Sequence, residues 1–600
     1  MNKRHLYHSG IIGNCNFIAH VHKNTNINWL CWPTFRDSFV FGGLLDQEKG
    51  GEFSIKLIAD ETSSKQYYLE NTNILVTEVH SEQGSFKVTD FAPRFHQYER
   101  YFKPLMVIRI LEPIQGNPKI KVTCKPKADY GKADFKSFRG SNHVQFKHAD
   151  EEMRLTTNIP ISHFFDQDKS NFILTEKKYM ILSYGSPFEA ALEKTAEDFL
   201  LRTKQYWRHW VKKASIPNYY QSLIIRSALV LKLHQYEDTG AIIAASTTSL
   251  PESPGSGRNW DYRYCWVRDS YYVLTALSNI GKFDELEQFA SYITGITQSD
   301  TGRLQPLYGI LGRRTLTEST LDYLEGYEGN QPIRIGNQAY EHIQNDVYGQ
   351  AMIALLPLYT DYRFPADERK DAKSWLSYIL GKIEMTIDEK DAGIWEFRHI
   401  ANRHAYSNLF QWAGCCAALK IAKQNGYTDI ELQARTLMEK AAAHIESCYD
   451  PDRQVYRNAS EGENLDASTL QLIMMHYLDP SSERAKLHLE AVEKELRGKN
   501  GLFYRYLHRD DFGKPQSTFL VCAFWYVEAL ACVGRVQEAQ EIFANLMSYS
   551  NHLGLFSEDV HEEDGSQWGN FPQAYSHVGL MNAAYRIATK LDQPIFTCSS

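Results

Sequence analysis

The hydrophobic period of the chain changes once, near Pro187, and that change limits the folds open to it. Before it, residues 52–57, 73–80, 85–91, 106–111, 119–124, 143–147 and 179–184 alternate apolar and polar side chains with period two. Turn residues separate these runs at intervals typical of two packed sheets. The spacing predicts an antiparallel β-sandwich over residues 1–185. Such a sandwich is also the fold of many carbohydrate-binding modules, but no exposed aromatic platform can be picked out.

After Pro187 the apolar residues recur at helical spacing. Residues 189–210, ending in Trp207 and Trp210, read as a helix within a linker of 186–215. Twelve further helices are expected, at 219–236, 267–280, 284–298, 345–358, 367–387, 406–425, 428–448, 466–477, 482–497, 517–533, 535–549 and 571–588. Asp367-Glu368 and Ser482-Glu483 are start signals; Asn425-Gly426 and Val533-Gly534 are stops. Two concentric layers of six would bury so many helices economically over 216–600. An α-solenoid is the alternative, but no fixed-period repeat is present. Segments 238–266, 299–344, 388–405, 449–465, 498–516 and 550–570 are the long connections, where function is expected.

Composition narrows the function. With 600 residues, 43% hydrophobic and 23% charged, the chain reads as globular with a large core. A net charge of −8 and no Lys/Arg block argue against nucleic-acid binding. No run of 18 apolar residues occurs, so no membrane span is expected. The first residues, 1–15, have no apolar stretch of the secretory kind, and cytoplasm is the expected compartment. The ten Cys are scattered without metal-ligand spacing. No HExxH and no calcium loop is found. No cofactor and no catalytic metal are predicted; the sequence gives no oligomeric state.

The densest chemistry is Gly257-Arg258-Asn259-Trp260-Asp261-Tyr262-Arg263-Tyr264-Cys265-Trp266-Val267-Arg268-Asp269-Ser270, in which four large aromatics alternate with three Arg and two Asp. Aromatic rings stack on the apolar face of a pyranose, and Arg and Asp bind its hydroxyls. An aromatic core segment with solvated charges is the competing reading. If the ligand is a sugar and the reaction hydrolysis, two carboxyl groups are needed: a proton donor and a group that activates water or attacks. Glu396, in Gly393-Ile394-Trp395-Glu396-Phe397-Arg398, sits between two aromatics. There it should be partly desolvated, which favours the neutral acid a proton donor requires. Arg398 would oppose this if it paired with Glu396, so it is expected on substrate or on another carboxylate. A second acidic run, Glu558-Asp559 with Glu562-Glu563-Asp564, leaves the choice of partner open.

The order of these residues is what resembles a known family. The lead-in 239–252, with Thr247-Thr248-Ser249-Leu250-Pro251-Glu252, followed by Arg258-Asn259-Trp260-Asp261-Tyr262-Arg263-Tyr264 and Trp266-Val267-Arg268-Asp269, resembles glycoside hydrolase family 15, the glucoamylases and their bacterial relatives. Residues 12–14, 28–33 and 41–46, Gly326 to Asn337, Leu465 to Ser468, Tyr504-Arg505-Tyr506 and Phe524-Trp525 extend the resemblance along nearly the whole chain. It implies an N-terminal β-sandwich followed by an (α/α)6 barrel with the site at one open end. Glu396 would be the general acid. Glu558, in Gly554-Leu555-Phe556-Ser557-Glu558 before Gly569-Asn570-Phe571-Pro572-Gln573, would be the general base of an inverting reaction. The expected carboxyl separation is then about 6.5–9.5 Å. Trp266, Arg268 and Asp269 would grip the terminal sugar. Trp260, Tyr262 and Trp395 are candidate stacking walls, and Arg334 and Arg398 candidate mouth residues. The substrate would be an oligosaccharide or a disaccharide. An exo-acting α-glucosidase of glucoamylase type is the first reading. Trehalase, an α-1,6 glucodextranase-like enzyme, an inverting phosphorylase and a non-catalytic glycan binder follow. Two departures, Ser407-Asn408 in place of a Ser-Lys pair and Phe397 in place of a second acidic residue, fall where a leaving-group sugar could bind.

Overall fold

A computed structural model of the chain describes residues 4–165, 171–186, 188–299, 302–365 and 372–592. The predicted strands fall in the two sheets of the N-terminal region described next. An eight-stranded antiparallel sheet runs, in spatial order, Lys136–Arg139, His143–His148, Glu151–Thr157, Lys178–Tyr184, Met106–Gly116, Gly84–Phe91, Leu75–Ser81 and Ser63–Tyr68. A three-stranded sheet joins Asn171–Ile173, Lys119–Lys125 and Glu52–Leu57. One apolar core fills the space between them, holding Phe53, Ile55, Phe86, Val88, Ile120 and Leu155.

A third sheet, Ser9–Gly13, Ile18–His22, Ile27–Cys31 and Phe39–Phe41, has no alternating signature in the sequence. Its pleat explains why. Ile12, Ala19 and Leu30 point into the sandwich core, whereas Ile11, Ile18 and Trp29 point into the core of the helical region. A sheet buried on both faces loses the polar half of its pattern.

A single turn, α1 (Ser162–Phe165), lies among the strands. The helix α2 (Leu192–Lys212) then spans both cores, with Ala196 against the sandwich and Trp207 buried in the helical core. The remaining helices are α3 (Gln221–His234), α4 (Val267–Asn279), α5 (Asp284–Ser299), α6 (Asp346–Thr360), α7 (Ala372–Thr386), α8 (Ala405–Asn425), α9 (Thr428–Glu446), α10 (Gln471–Met474), α11 (Glu483–Leu496), α12 (Leu520–Cys532), α13 (Val536–Met547) and α14 (Ala574–Leu591). Helices α4, α6, α8, α10, α12 and α14 pack in a closed ring, α14 returning onto α4; the other six lie outside it. This is the (α/α)6 barrel. Helix α12 is buried on every side, as an inner helix must be.

Three helix expectations need correction or qualification. The span 466–477 is a 3-10 turn followed by the four residues of α10. Asp466 caps it by accepting from Ser468 N, and His476 in the left-handed region (φ 59°) ends it. Helix α12 begins at Leu520 rather than 517, because Thr518–Phe519 pairs with Asp559–Val560 as a short strand. The start signal Asp367-Glu368 lies outside the described residues. Elsewhere Ser482 accepts from Ala485 N and Gly426 (φ 69°) closes α8, as the sequence signals predict. Among the described residues no helix is long and apolar enough to cross a membrane.

Candidate active site

The loops at one end of the barrel enclose a pocket of about 870 Å³, counted to its open mouth. Glu396 and Glu558 both line it, with Trp260, Tyr262, Trp266, Arg268, Asp269, Trp395 and Arg398. Residues that are far apart in the chain meet here because each sits at or beside an inner-ring terminus. Trp266 is the N-cap of α4, and Arg268 and Asp269 occupy its first turn. Glu396 lies in the loop between α7 and α8, and Glu558 directly precedes the strand that pairs with the entry to α12.

The Glu396 wall is fixed through Arg268. Its Nη1 donates to the Ile394 carbonyl at 2.9 Å and to Glu396 Oε1 at 3.2 Å, and its Nε donates to Asp269 Oδ2 at 3.1 Å. Trp266 Nε1 donates to the same Glu396 Oε1 at 2.7 Å. Glu396 itself has φ 60°, a conformation that an L-residue holds only when its surroundings impose it. Trp395 is anchored by donating from Nε1 to Asp466 Oδ2 at 3.0 Å.

The Glu558 wall is drier. Glu558 is 2% exposed, whereas the Glu396 side chain keeps 23% of its surface. Glu558 Oε1 accepts from Tyr262 OH at 2.7 Å. Its Oε2 is buried with no hydrogen-bond partner among the described residues. Burial, and then the charge of Glu252, push the Glu558 carboxyl up to about 8. Asp559 is pushed up by the same two causes in that order. Tyr262 packs edge-on to Trp266 at 5.5 Å, so two hydrogen-bonded rings connect the walls.

Several expectations change in this light. Glu558 is the more deeply buried of the two carboxyl groups, and Glu396 is met by the Trp266 indole N–H and the Arg268 guanidinium. Arg398 lines the pocket and pairs with Glu318, Nη2 to Oε2 at 3.1 Å, so it does engage a different carboxylate. Arg334 is not among the lining residues. Its guanidinium lies 4.5 Å from the Trp260 ring centroid, donates to the Gly257 and Asn259 carbonyls at 3.0 and 2.8 Å, and pairs with Glu318. It braces the back of the Trp260 loop. Ser407 and Asn408 are also away from the pocket. Ser407 Oγ donates to Asp391 Oδ2 at 2.6 Å and Asn408 Nδ2 to the His404 carbonyl at 2.8 Å, both buried within α8. Phe397 does line the pocket.

Sequence reading passed over three groups of lining residues. Glu252 and Arg505 pair at 2.6 Å on the Glu558 side of the pocket. Arg258 pairs with Asp510, Nη2 to Oδ1 at 2.5 Å. Asp511 accepts from the Arg398 backbone N–H at 2.6 Å and meets His399 Nδ1 at 2.9 Å, which ties two mouth loops together. Glu252 and Arg505 both stand inside motifs quoted above, so their positions were visible and their pairing was not. Among the described residues no group of three or more His, Cys, Asp or Glu is arranged to hold a metal ion.

The profile of Glycosyl hydrolases family 15 matches residues 218–585, and that of a trehalase-like N-terminal region matches residues 3–169. A Thermoplasma volcanium protein named trehalase is 33% identical over 99% of this chain and 94% of its own length. A Mycobacterium tuberculosis protein named trehalase is 30% identical over 94% of this chain and 86% of its own. Of solved structures, a bacterial glucoamylase complexed with acarbose superposes with a TM-score of 0.69 over 98% of this chain and 95% of that one. At 14% identity that likeness is one of fold. Family profile, full-length relatives and fold agree: the chain belongs to glycosyl hydrolases family 15 and is a glycoside hydrolase.

Proposed function

We propose that this hydrolase is a trehalase that cleaves α,α-trehalose with inversion, Glu396 acting as general acid and Glu558 as general base. The observation that carries the substrate is the end-to-end likeness to the Thermoplasma volcanium protein named trehalase. It favours the second of the readings implied by the sequence over the first, a glucoamylase. The pocket supports the chemistry. Both carboxyl groups line it, and the buried Glu558 Oε2 has no partner, which suits an atom that accepts a proton from water. Arg268 and Asp269 would take adjacent hydroxyls of the sugar being attacked, with Trp395, Tyr262 and Trp266 around it.

In the reaction, Glu396 gives its proton to the glycosidic oxygen as the C1–O bond breaks. Water attacks C1 from the opposite face and loses a proton to Glu558. Solvent then resets both carboxyl groups. Trehalose makes the stereochemistry readable. The attacked ring leaves as β-glucose and the departing ring keeps its α configuration, so fresh product contains the two anomers in equal amounts.

Parallel digests of trehalose, maltose, isomaltose and starch test the substrate, with NMR of the fresh product from trehalose. Trehalose turnover with equal α- and β-glucose is expected. Preferred turnover of maltose or starch returns the assignment to the glucoamylase type, and α-glucose alone rules out inversion.

A further inference from the structure

Glu252 is a buried carboxylate that lines the pocket and that the reaction above does not use. It accepts from Arg505 Nη2 at 2.6 Å and from Trp260 Nε1 at 3.2 Å. Its neighbour Pro251 accepts the Gly569 N–H at 2.7 Å. Gly569 in turn lies directly against the Glu558 side chain: a Cβ built on it would stand 2.8 Å from Oε2. Glu252 and Glu558 are thus carried on adjoining segments of one wall.

We propose that Glu252 is a positioning residue for hydrolysis: it fixes Arg505 and the Trp260 indole at the pocket wall, and its charge sets the pH range in which Glu558 can accept a proton. The inference rests on Glu558 being the base. Glu252 and Tyr262 face Glu558 from the 241–264 segment, Arg505 from the segment before α12, Asp559 from its own strand and Tyr7 from the N-terminal segment. Arg505 brings positive charge and Glu252 negative charge; Asp559 is pushed up by the same burial and the same Glu252 charge as Glu558, and the two phenols are neutral. Because Glu252 binds Arg505 directly, it takes up part of the cation that would otherwise favour the Glu558 carboxylate. Both effects of Glu252 keep a proton on Glu558, in line with the second-largest cause of its raised value.

The sign of the test follows. Glu252→Gln removes a negative charge and releases Arg505, so Glu558 ionises more readily. The acid limb of the kcat/KM–pH profile should move to lower pH by about one unit or more, the usual effect of a neighbouring charge. Glu252→Asp keeps the charge and should return the limb towards its original place. Arg505→Gln should move it the opposite way, to higher pH, and provides the reading if Glu252→Gln does not fold. A fall in kcat/KM at every pH with the limb unmoved would mean that Glu252 is structural only, and the proposal would be overturned. Glu558→Gln separates the two ideas. If it leaves turnover intact, the base assignment fails; if it abolishes turnover while Glu252→Gln leaves the limb in place, only the role of Glu252 fails.

Discussion

The two walls of the pocket are built on opposite physical terms. Glu396 stands on a loop of its own barrel, partly open to solvent, with an indole N–H and a guanidinium on one oxygen. Glu558 is sealed in, with another carboxylate next to it in sequence and Glu252 beside it. The N-terminal region is tied in behind this wall. Tyr7 donates from OH to the Gly569 carbonyl at 2.9 Å, and Asn551 Nδ2 donates to the Tyr7 and Ser9 carbonyls, each at 2.9 Å. His20 and Trp29, from the sheet with two buried faces, bond Ser246 Oγ and its carbonyl, each at 2.7 Å. The comparison teaches what the sandwich does for the barrel. It holds the segment that carries Gly569, which lies against Glu558 on the drier of the two walls.

The strongest test of the contrast is removal of each carboxyl. Glu396→Gln and Glu558→Gln should each lower kcat on trehalose by about 10²–10⁴, the usual contribution of a general acid or base. If either variant keeps full turnover, that wall has been misassigned.

A smaller but sharper effect is expected at Gly569. It has φ 77°, and a Cβ there would stand 2.6 Å from Glu558 Cβ and 3.0 Å from Asp559 Oδ2. Gly569→Ala should therefore displace the Glu558 side chain and strain the turn, costing about 1–3 kcal/mol of stability together with a clear loss of kcat. Thermal unfolding and steady-state kinetics measure the two; wild-type values for both would mean that the dry wall is not packed as described.

The smallest effect is thermodynamic. A buried carboxyl pushed up to about 8 from an ordinary 4.5 binds a proton in the folded state that the unfolded chain has released. Its neutral form costs nothing below the unfolded value, and the fold loses stability as pH rises from there to the folded value. Glu558→Gln should thus raise the unfolding midpoint by about 1–3 °C at pH 8 and leave it unchanged near pH 4. An unchanged midpoint at pH 8 would mean that Glu558 is not sealed in as described.

Much of this was written in the sequence because it depends on local order. The period-two runs become strands, the helical runs become the barrel, and fixed spacing in the Trp266-Val267-Arg268-Asp269 and Gly-Ile-Trp-Glu motifs brings their residues to a single pocket. The sheet at residues 9–41 was not legible, since burial on both faces removes the alternation by which a strand is recognised. Nor were the places of Arg334 and Asn408, which turn on whether a side chain finds a carbonyl behind the loop or faces the cavity.

What the sequence determined by itself was the order of elements and which carboxyl groups are candidates for the reaction, because propensity, period and motif register act over a few residues. The tertiary structure alone decided which carboxyl is dry, which cation is shared and what stands behind Glu558. Those are properties of contacts between residues hundreds of positions apart, such as Glu252 with Arg505 and Tyr7 with Gly569. Burial and charge pairing depend on what surrounds a group in space, and no local pattern records that.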